Sequence, residues 1–228
     1  MGKDFVSLMV QWAREETAGM RLISFNGGHL WQFIPGQVAI LAKEGVGESY
    51  FAIASAPEDR EGMEFLVRRG EGMSAFLFTA RAGDLVNGKG PLGRGFPIDN
   101  YPGRDLFLSA VGSAIAPLRS VLRSVCHRRA DFDKVALVYG VRHAEEFPLL
   151  DEMKTWQENG IEVILTVSRP EKDTWTGKKG HVQSHFGEAL AGLRQPVAMI
   201  CGMEAMIRQS RDELVRLGIP PGEILTNY

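Results

Sequence analysis

Cysteine is scarce: Cys126 and Cys201 are the only two in the 228 residues. Two thiols cannot build a disulfide framework or a four-thiolate cluster, which excludes an all-cysteine iron–sulfur centre held by these residues. No apolar run approaches the roughly 18 residues of a membrane-spanning helix. Basic charge is not in excess either, since 26 Lys and Arg stand against 28 Asp and Glu. Nucleic-acid and membrane-surface binders need such an excess, so neither partner is expected. Met1 to Gln11 carries one lysine and a short apolar stretch that Asp4 and Gln11 interrupt, with no small-residue cleavage site after it. That is unlike a secretory leader, and a cytoplasmic location is the expectation. Repeats and low-complexity stretches are absent as well. What is present, 44% hydrophobic residues, suffices for a sizeable core in one large domain or two ordinary ones.

The chain has two textures. Up to about Asn100, short apolar runs are broken by turn residues such as Asn26-Gly27-Gly28, Pro35-Gly36, Gly45-Val46-Gly47 and Ala82-Gly83-Asp84. This spacing predicts antiparallel strands at Val6–Trp12, Met20–Ser24, Gln37–Ala42, Tyr50–Ala54, Met63–Val67 and Leu85–Gly88, with one helical insertion at Ser74–Ala80. Asn100-Tyr101-Pro102-Gly103 reads as a linker, which divides the chain into residues 1–101 and 102–228. Beyond it, apolar strands alternate with amphipathic helices: Asp105–Ala110, Ile115–His127, Lys134–Tyr139, Glu145–Glu158, Ile161–Val167, Val182–Leu190, Val197–Cys201 and Met203–Leu217. A last strand is expected within Glu223–Tyr228. Such alternation means a parallel sheet covered by helices on both faces.

Ligands of open parallel sheets bind beyond the carboxyl ends of the strands. Three segments stand there. In Val111–Pro117, small residues lead into a helix whose first N–H groups suit a pyrophosphate. Tyr139-Gly140-Val141-Arg142 and Cys201–Met206 likewise follow strands, and each carries a glycine. Gly88-Lys89-Gly90-Pro91-Leu92-Gly93 matches a dinucleotide fingerprint in letters only, because Pro91, Gly95 and Pro97 deny it a following helix. It reads instead as a turn-rich barrel edge. His181 and His185 have metal-ligand spacing without an intervening glutamate or an evident third ligand, so no metal is expected. No nucleophile elbow and no acidic catalytic pair is present.

Five segments in order now resemble the ferredoxin–NADP reductase superfamily: Phe33–Gln37, Phe51–Pro57, Arg69–Ser74, Gly112–Pro117 and Cys201–Met206. Gly90–Phe96 is similar to the electron-transfer subunits of dihydroorotate dehydrogenase and to hydrogenase gamma subunits. The resemblance implies a six-stranded antiparallel flavin-binding barrel followed by a Rossmann-like nucleotide-binding domain. It implies an oxidoreductase moving hydride between a nicotinamide nucleotide and a flavin, FAD or FMN, and then passing electrons to a partner protein or small acceptor. Phe51, Ala52, Ile53 and Ser55 would line the flavin, and Gly70, Gly72, Met73 and Ser74 would hold its pyrophosphate. Gly112, Ser113, Ala116 and Pro117 would hold the nicotinamide dinucleotide, with Gly140 and Arg142 after the next strand. Cys201, Gly202, Met203 and Met206 would lie beside the nicotinamide, and Tyr228 would stack on the flavin. Ser168 and Arg169 favour NADPH through the 2′-phosphate, with NADH the alternative.

Three features depart from the family pattern. Where it has Arg-x-Tyr-Ser for the flavin, this chain has Ser49, Tyr50, Phe51 and Ala52. Arg68 or Arg69 would then have to replace the missing guanidinium. Ala114 stands where the nucleotide loop has glycine, a methyl group that a helical backbone would tolerate. The iron–sulfur segment found in many relatives has no counterpart here. The second reading that these departures support is a flavin-deficient nucleotide-binding module or subunit on the same fold.

Overall fold

The computed structural model describes residues 5–27, 31–171 and 175–227. Six strands in the first half form an antiparallel sheet: β1 (Val6–Thr17), β2 (Met20–Phe25), β3 (Val38–Lys43), β4 (Gly47–Ala52), β5 (Met63–Arg68) and β6 (Leu85–Leu92). Their order is β4-β3-β6-β1-β2-β5. The two ends meet just past β4, where Ile53 bridges Phe65 and the Ala54 N–H donates to the Glu64 carbonyl at 2.8 Å. Period-two alternation on β1 turns Leu8 and Val10 inward and leaves Met9 and Gln11 outside. Phe25 and Phe65 meet edge to face inside, with centroids 5.8 Å apart. Helix α1 (Met73–Thr79) closes one end by burying Met73 and Leu77 in this core.

The segment from Gly88 to Gly93 corrects the edge expected from sequence. It continues β6 to Leu92 in the interior of the sheet, between β3 and β1. Its glycines make room for neighbours: a Cβ at Gly88 would lie 2.4 Å from Leu8 Cδ1, and one at Gly90 would lie 3.2 Å from Ala39 Cβ.

The second half forms a six-stranded parallel sheet: β7 (Leu106–Val111), β8 (Val135–Val141), β9 (Ile161–Val167), β10 (Lys178–Lys179), β11 (Val197–Cys201) and β12 (Ile224–Leu225). The order β10-β9-β8-β7-β11-β12 shows the chain running outward from β7 to β10, then crossing back to add β11 and β12 on the other side. Helices α2 (Ile115–His127) and α3 (Leu150–Glu158) pack on one face; α4 (Phe186–Leu190) and α5 (Glu204–Arg216) cover the other. Leu118, Val121, Leu122 and Val125 form the buried stripe of α2.

The helix expected over Glu145–Glu158 is in fact divided. A 3-10 turn spans Ala144–Glu146, Phe147 is extended, and Leu149 at φ 62° precedes α3. Pro148 is the cause, since a proline disfavours helical geometry in the residue before it. Val182–Leu190 similarly splits into a 3-10 turn and the short α4. The last strand is shorter than expected, and Tyr228 lies outside the described residues.

Candidate functional site

The order of strand addition reverses between the parallel strands β7 and β11, so the switch point lies between their carboxyl ends. Ala110 pairs with Cys201 across this boundary, which brings the Val111–Gly112 and Cys201–Gly202 turns side by side. Gly202 allows the close approach: a Cβ there would meet Val111 Cγ2 at 3.2 Å and Met206 Sδ at 2.6 Å. Met203 is exposed at the start of α5, whereas Met206 is buried in the core beneath it.

Gly112 has φ +53°, and nothing lies within 4 Å of the Cβ it lacks, so its backbone borders open space. A 3-10 turn, Gly112–Ala114, leads into α2, and no side chain caps its N–H groups. These are the donors a pyrophosphate needs. Ala114 is right-handed at φ −70°, ψ 0°, so its methyl group fits the backbone. The loop is held from below by Tyr139, whose hydroxyl donates to the Gly112 carbonyl at 2.8 Å. Burial, with the Glu146 charge nearby, pushes that hydroxyl's pKa upward and keeps it a donor. Pro117 in the first turn of α2 has its carbonyl against Gly36, where a Cβ would be 3.2 Å from Pro117 O and 2.7 Å from the Phe96 ring.

Cys201 is buried, and its thiol points at Asn227 Oδ1, 3.6 Å away. Burial pushes its pKa up to about 12, against the opposing Gly202 N–H. It is therefore a thiol at neutral pH, a compact polarizable contact and not a thiolate nucleophile.

The flavin-side residues divide by direction. Phe51, Ile53 and Met73 send their side chains into the barrel core, and the Ser55 hydroxyl accepts the Glu64 N–H at 3.1 Å. Ala52 is half-buried, while Tyr50 beside it is exposed. Gly70 and Gly72 are exposed at the start of α1, and Gly72 takes φ +54° with no side chain capping the helix. This open backbone, with Ser74 next to it, suits an anionic group. Of the two candidate replacement arginines, Arg69 lies over the Phe78 ring at 4.3 Å, and Arg68 is exposed.

At the ends of β8 and β9, Ser168 N donates to Val141 O and Arg169 N to Arg142 O, so the two loops run together. Arg142 and Arg169 are exposed, and among the described residues no carboxylate lies in ion-pair range of either. β10 adds Lys178 and Lys179 to this corner by pairing Lys179 with Val167. Gly140, in contrast, is buried within β8, where its missing Cβ would lie 2.7 Å from Val182 Cγ1; the glycine serves packing. His143, Glu145 and Glu171 also gather there within 4.8 Å, but both glutamates are exposed, an ordinary surface arrangement. His185 anchors the same corner through Thr166 Oγ1 and the Lys179 carbonyl, each 3.1 Å away.

The polar face of α2 gives no motif signal in the sequence. Arg119, almost fully buried, donates to the Ala54 carbonyl and grips both oxygens of Glu152. Ser120 donates to the Ser55 carbonyl at 2.6 Å, Ser124 to Glu58 at 2.7 Å, and Arg123 clasps Asp59 at 2.7 and 3.0 Å. The four-residue spacing of Arg119, Arg123 and His127 puts them on one face of α2. Here it latches the nucleotide helix onto the segment that closes the barrel. A cavity of about 550 Å³ between Arg104, Leu193, Leu217 and Glu223 lies at the amino ends of the parallel strands, away from this site.

The fold and the cleft define an antiparallel barrel joined to a dinucleotide-binding α/β unit. The model of the oxidoreductase NAD-binding domain matches residues 108–212. Ferredoxin–NADP reductase B of Sorangium cellulosum is 32% identical over 75% of this chain and 73% of its own length. Sulfhydrogenase 1 subunit gamma of Pyrococcus furiosus is 28% identical over 96% of this chain and 77% of its own. In fold, the chain is similar to a ferredoxin–NADP+ reductase from Neisseria gonorrhoeae with bound FAD and NADP, at TM-score 0.84, 23% identity and coverage of 99% and 98%. The chain belongs to the ferredoxin–NADP reductase-like family of FAD- and NAD(P)-binding oxidoreductases. It is an electron-transfer oxidoreductase of the NAD(P)H-dependent kind. Among the described residues, no helix is long and apolar enough to cross a membrane.

Proposed function

We propose that this protein takes electrons from a nicotinamide dinucleotide, NADPH in preference to NADH, and delivers them through FAD to a partner protein or small acceptor. The observation that carries this reading is the uncapped turn at Gly112–Ala114, set beside Cys201–Gly202 at the switch point. The flavin, when bound, supplies the hydride acceptor and the relay to the acceptor. The chain supplies binding and orientation. Gly112, Ser113 and Ala116 offer N–H groups to the dinucleotide pyrophosphate, and Pro117 shapes the turn. Arg142, Ser168 and Arg169, with Lys178 and Lys179 nearby, meet the 2′-phosphate. Gly70, Gly72 and Ser74 would hold the flavin pyrophosphate, and the Phe51–Ser55 segment would line the flavin. Cys201 and Met203 would border the nicotinamide; Tyr228, the aromatic expected at the flavin, lies outside the described residues.

The domain boundary falls between Tyr101 and Pro102, in the stretch separating β6 from β7. Similarity to a sulfhydrogenase gamma subunit over 96% of the chain supports a role as an electron-transfer subunit, and we place the protein in the cytoplasm. Ser49 and Ala52, in place of the flavin-binding arginine and serine, favour a second reading in which flavin is held weakly or not at all.

A visible absorption spectrum of the purified protein, followed by anaerobic addition of NADH and then NADPH, separates the two. A flavin spectrum that bleaches faster with NADPH is the expected result. A colourless protein that takes up neither FAD nor FMN overturns the reductase reading.

A further inference from the structure

Asn227, two residues beyond β12, is buried with both ends of its amide engaged. Its Oδ1 accepts the Cys201 thiol at 3.6 Å, and its Nδ2 donates to the Gly36 carbonyl at 3.2 Å. Its main-chain carbonyl accepts the Gly95 N–H at 3.3 Å. Reversing the amide would set oxygen against the Gly36 carbonyl, so a single orientation satisfies the site. The partners belong to different parts of the fold. Cys201 ends β11 at the switch point; Gly36 lies in the turn before β3 of the barrel; Gly95 follows β6. Gly36 is itself fixed, because the Phe96 ring and the Pro117 carbonyl fill the space where its Cβ would be. One side chain thus spans from the barrel to the nicotinamide end of the parallel sheet.

We propose that Asn227 is a positioning residue for hydride transfer, holding the Cys201 thiol in one orientation and fixing the spacing between the end of β11 and the Gly36 turn. This inference rests on the reductase reading above. Asn227 acts through Cys201 and Gly36 rather than on the nucleotide. Near-attack geometry is steep in distance, so a small shift at this junction lowers turnover more than binding. A merely structural tie would lower stability and leave the turnover of the folded fraction alone.

The test uses the full chain as Asn227→Leu, Cys201→Ala and the double variant, with ferricyanide as acceptor and whichever nicotinamide nucleotide bleaches the wild type. Asn227→Leu is expected to lower kcat about ten- to a hundredfold. KM for the nucleotide stays within about threefold, since uniform binding is untouched. In the Cys201→Ala background the same change costs less than about threefold, because the two residues act as a unit. In protein without added nucleotide, peptide-resolved alkylation by iodoacetamide is expected to be faster at Cys201 once Asn227 is replaced. Asn227→Ser serves the same comparison if the leucine variant does not fold. An unchanged kcat, multiplicative effects of the two substitutions, or unchanged Cys201 alkylation overturns the inference. A wild type that no nicotinamide nucleotide bleaches overturns the function itself, and the alkylation result is read independently of that.

Discussion

Arg119 Nη1 donates a 2.8 Å hydrogen bond to the carbonyl of Ala54, the residue whose own N–H completes the barrel. Nη1 also lies 2.6 Å from Glu64, and the other two nitrogens hold Glu152 at 2.6 and 2.8 Å. The guanidinium is 1% exposed, so its charge is sustained by these two carboxylates and not by water. Taking one partner from such a cluster leaves buried charge uncompensated. Arg119→Met is expected to lower unfolding free energy by about 3–5 kcal/mol in urea titrations. Adding Glu64→Gln and Glu152→Gln should restore part of that loss. A single-variant effect under about 1 kcal/mol would mean that the cluster is solvated.

Asp59 gives the same seam a pH dependence. Burial alone would raise its pKa, but hydrogen bonds from Arg123, His127 and the Ala56 N–H outweigh burial and hold it at about 2, below the ordinary 3.8. A carboxylate depressed in the folded state stabilises the fold above pH 3.8, and the contribution disappears as pH falls through about 2. The expected size is about 2 kcal/mol. Asp59→Asn should therefore flatten the wild-type decline in stability between about pH 4 and pH 2, measured by urea unfolding at each pH. Parallel declines in both proteins would locate the acid sensitivity elsewhere.

The flavin site we propose puts Ser49, on β4, near the flavin phosphates. A charge-assisted contact to phosphate contributes roughly 1.5–3 kcal/mol, so Ser49→Arg is expected to tighten FAD binding about tenfold or more. Equilibrium titration of flavin-stripped protein measures it. Unchanged affinity would show that the flavin phosphates lie away from β4.

Arg169 is exposed at the end of β9 with no ion-pair partner among the described residues. Arg169→Ala is expected to raise KM for NADPH about tenfold while leaving that for NADH nearly unchanged, since only the former carries the 2′-phosphate. Equal effects on both nucleotides would remove Arg169 from the selectivity site.

Where the chain's signals were local, they were legible. Ile161–Val167, Val197–Cys201 and α2 match their sequence-based limits to the residue, because each carries its own run or stripe of apolar residues. The Gly112 and Gly202 turns were legible as strand-to-helix turns, but not the Ala110–Cys201 pairing that sets them side by side. Contacts between distant parts were not. Gly88 and Gly90 look like turn residues until Leu8 and Ala39 are seen filling the space above them. Arg119 looks solvated until Glu64 and Glu152 arrive from β5 and α3. Gly140 looks like a nucleotide contact until Val182 takes up its empty side. Asn227 gave no periodic or motif signal at all, since its partners lie 26 and 191 residues away.

The latch between α2 and the barrel also orders events during synthesis. All six barrel strands have left the ribosome once Leu92 has emerged, yet the segment Ala54–Asp59, already tied to Glu64, gains its further partners from Arg119 to Arg128. A nascent chain halted between those points holds a sheet closed only through Ile53–Phe65 and Ala54–Glu64, and so more open to pairing with another nascent copy. Translation of α2 ends that exposure.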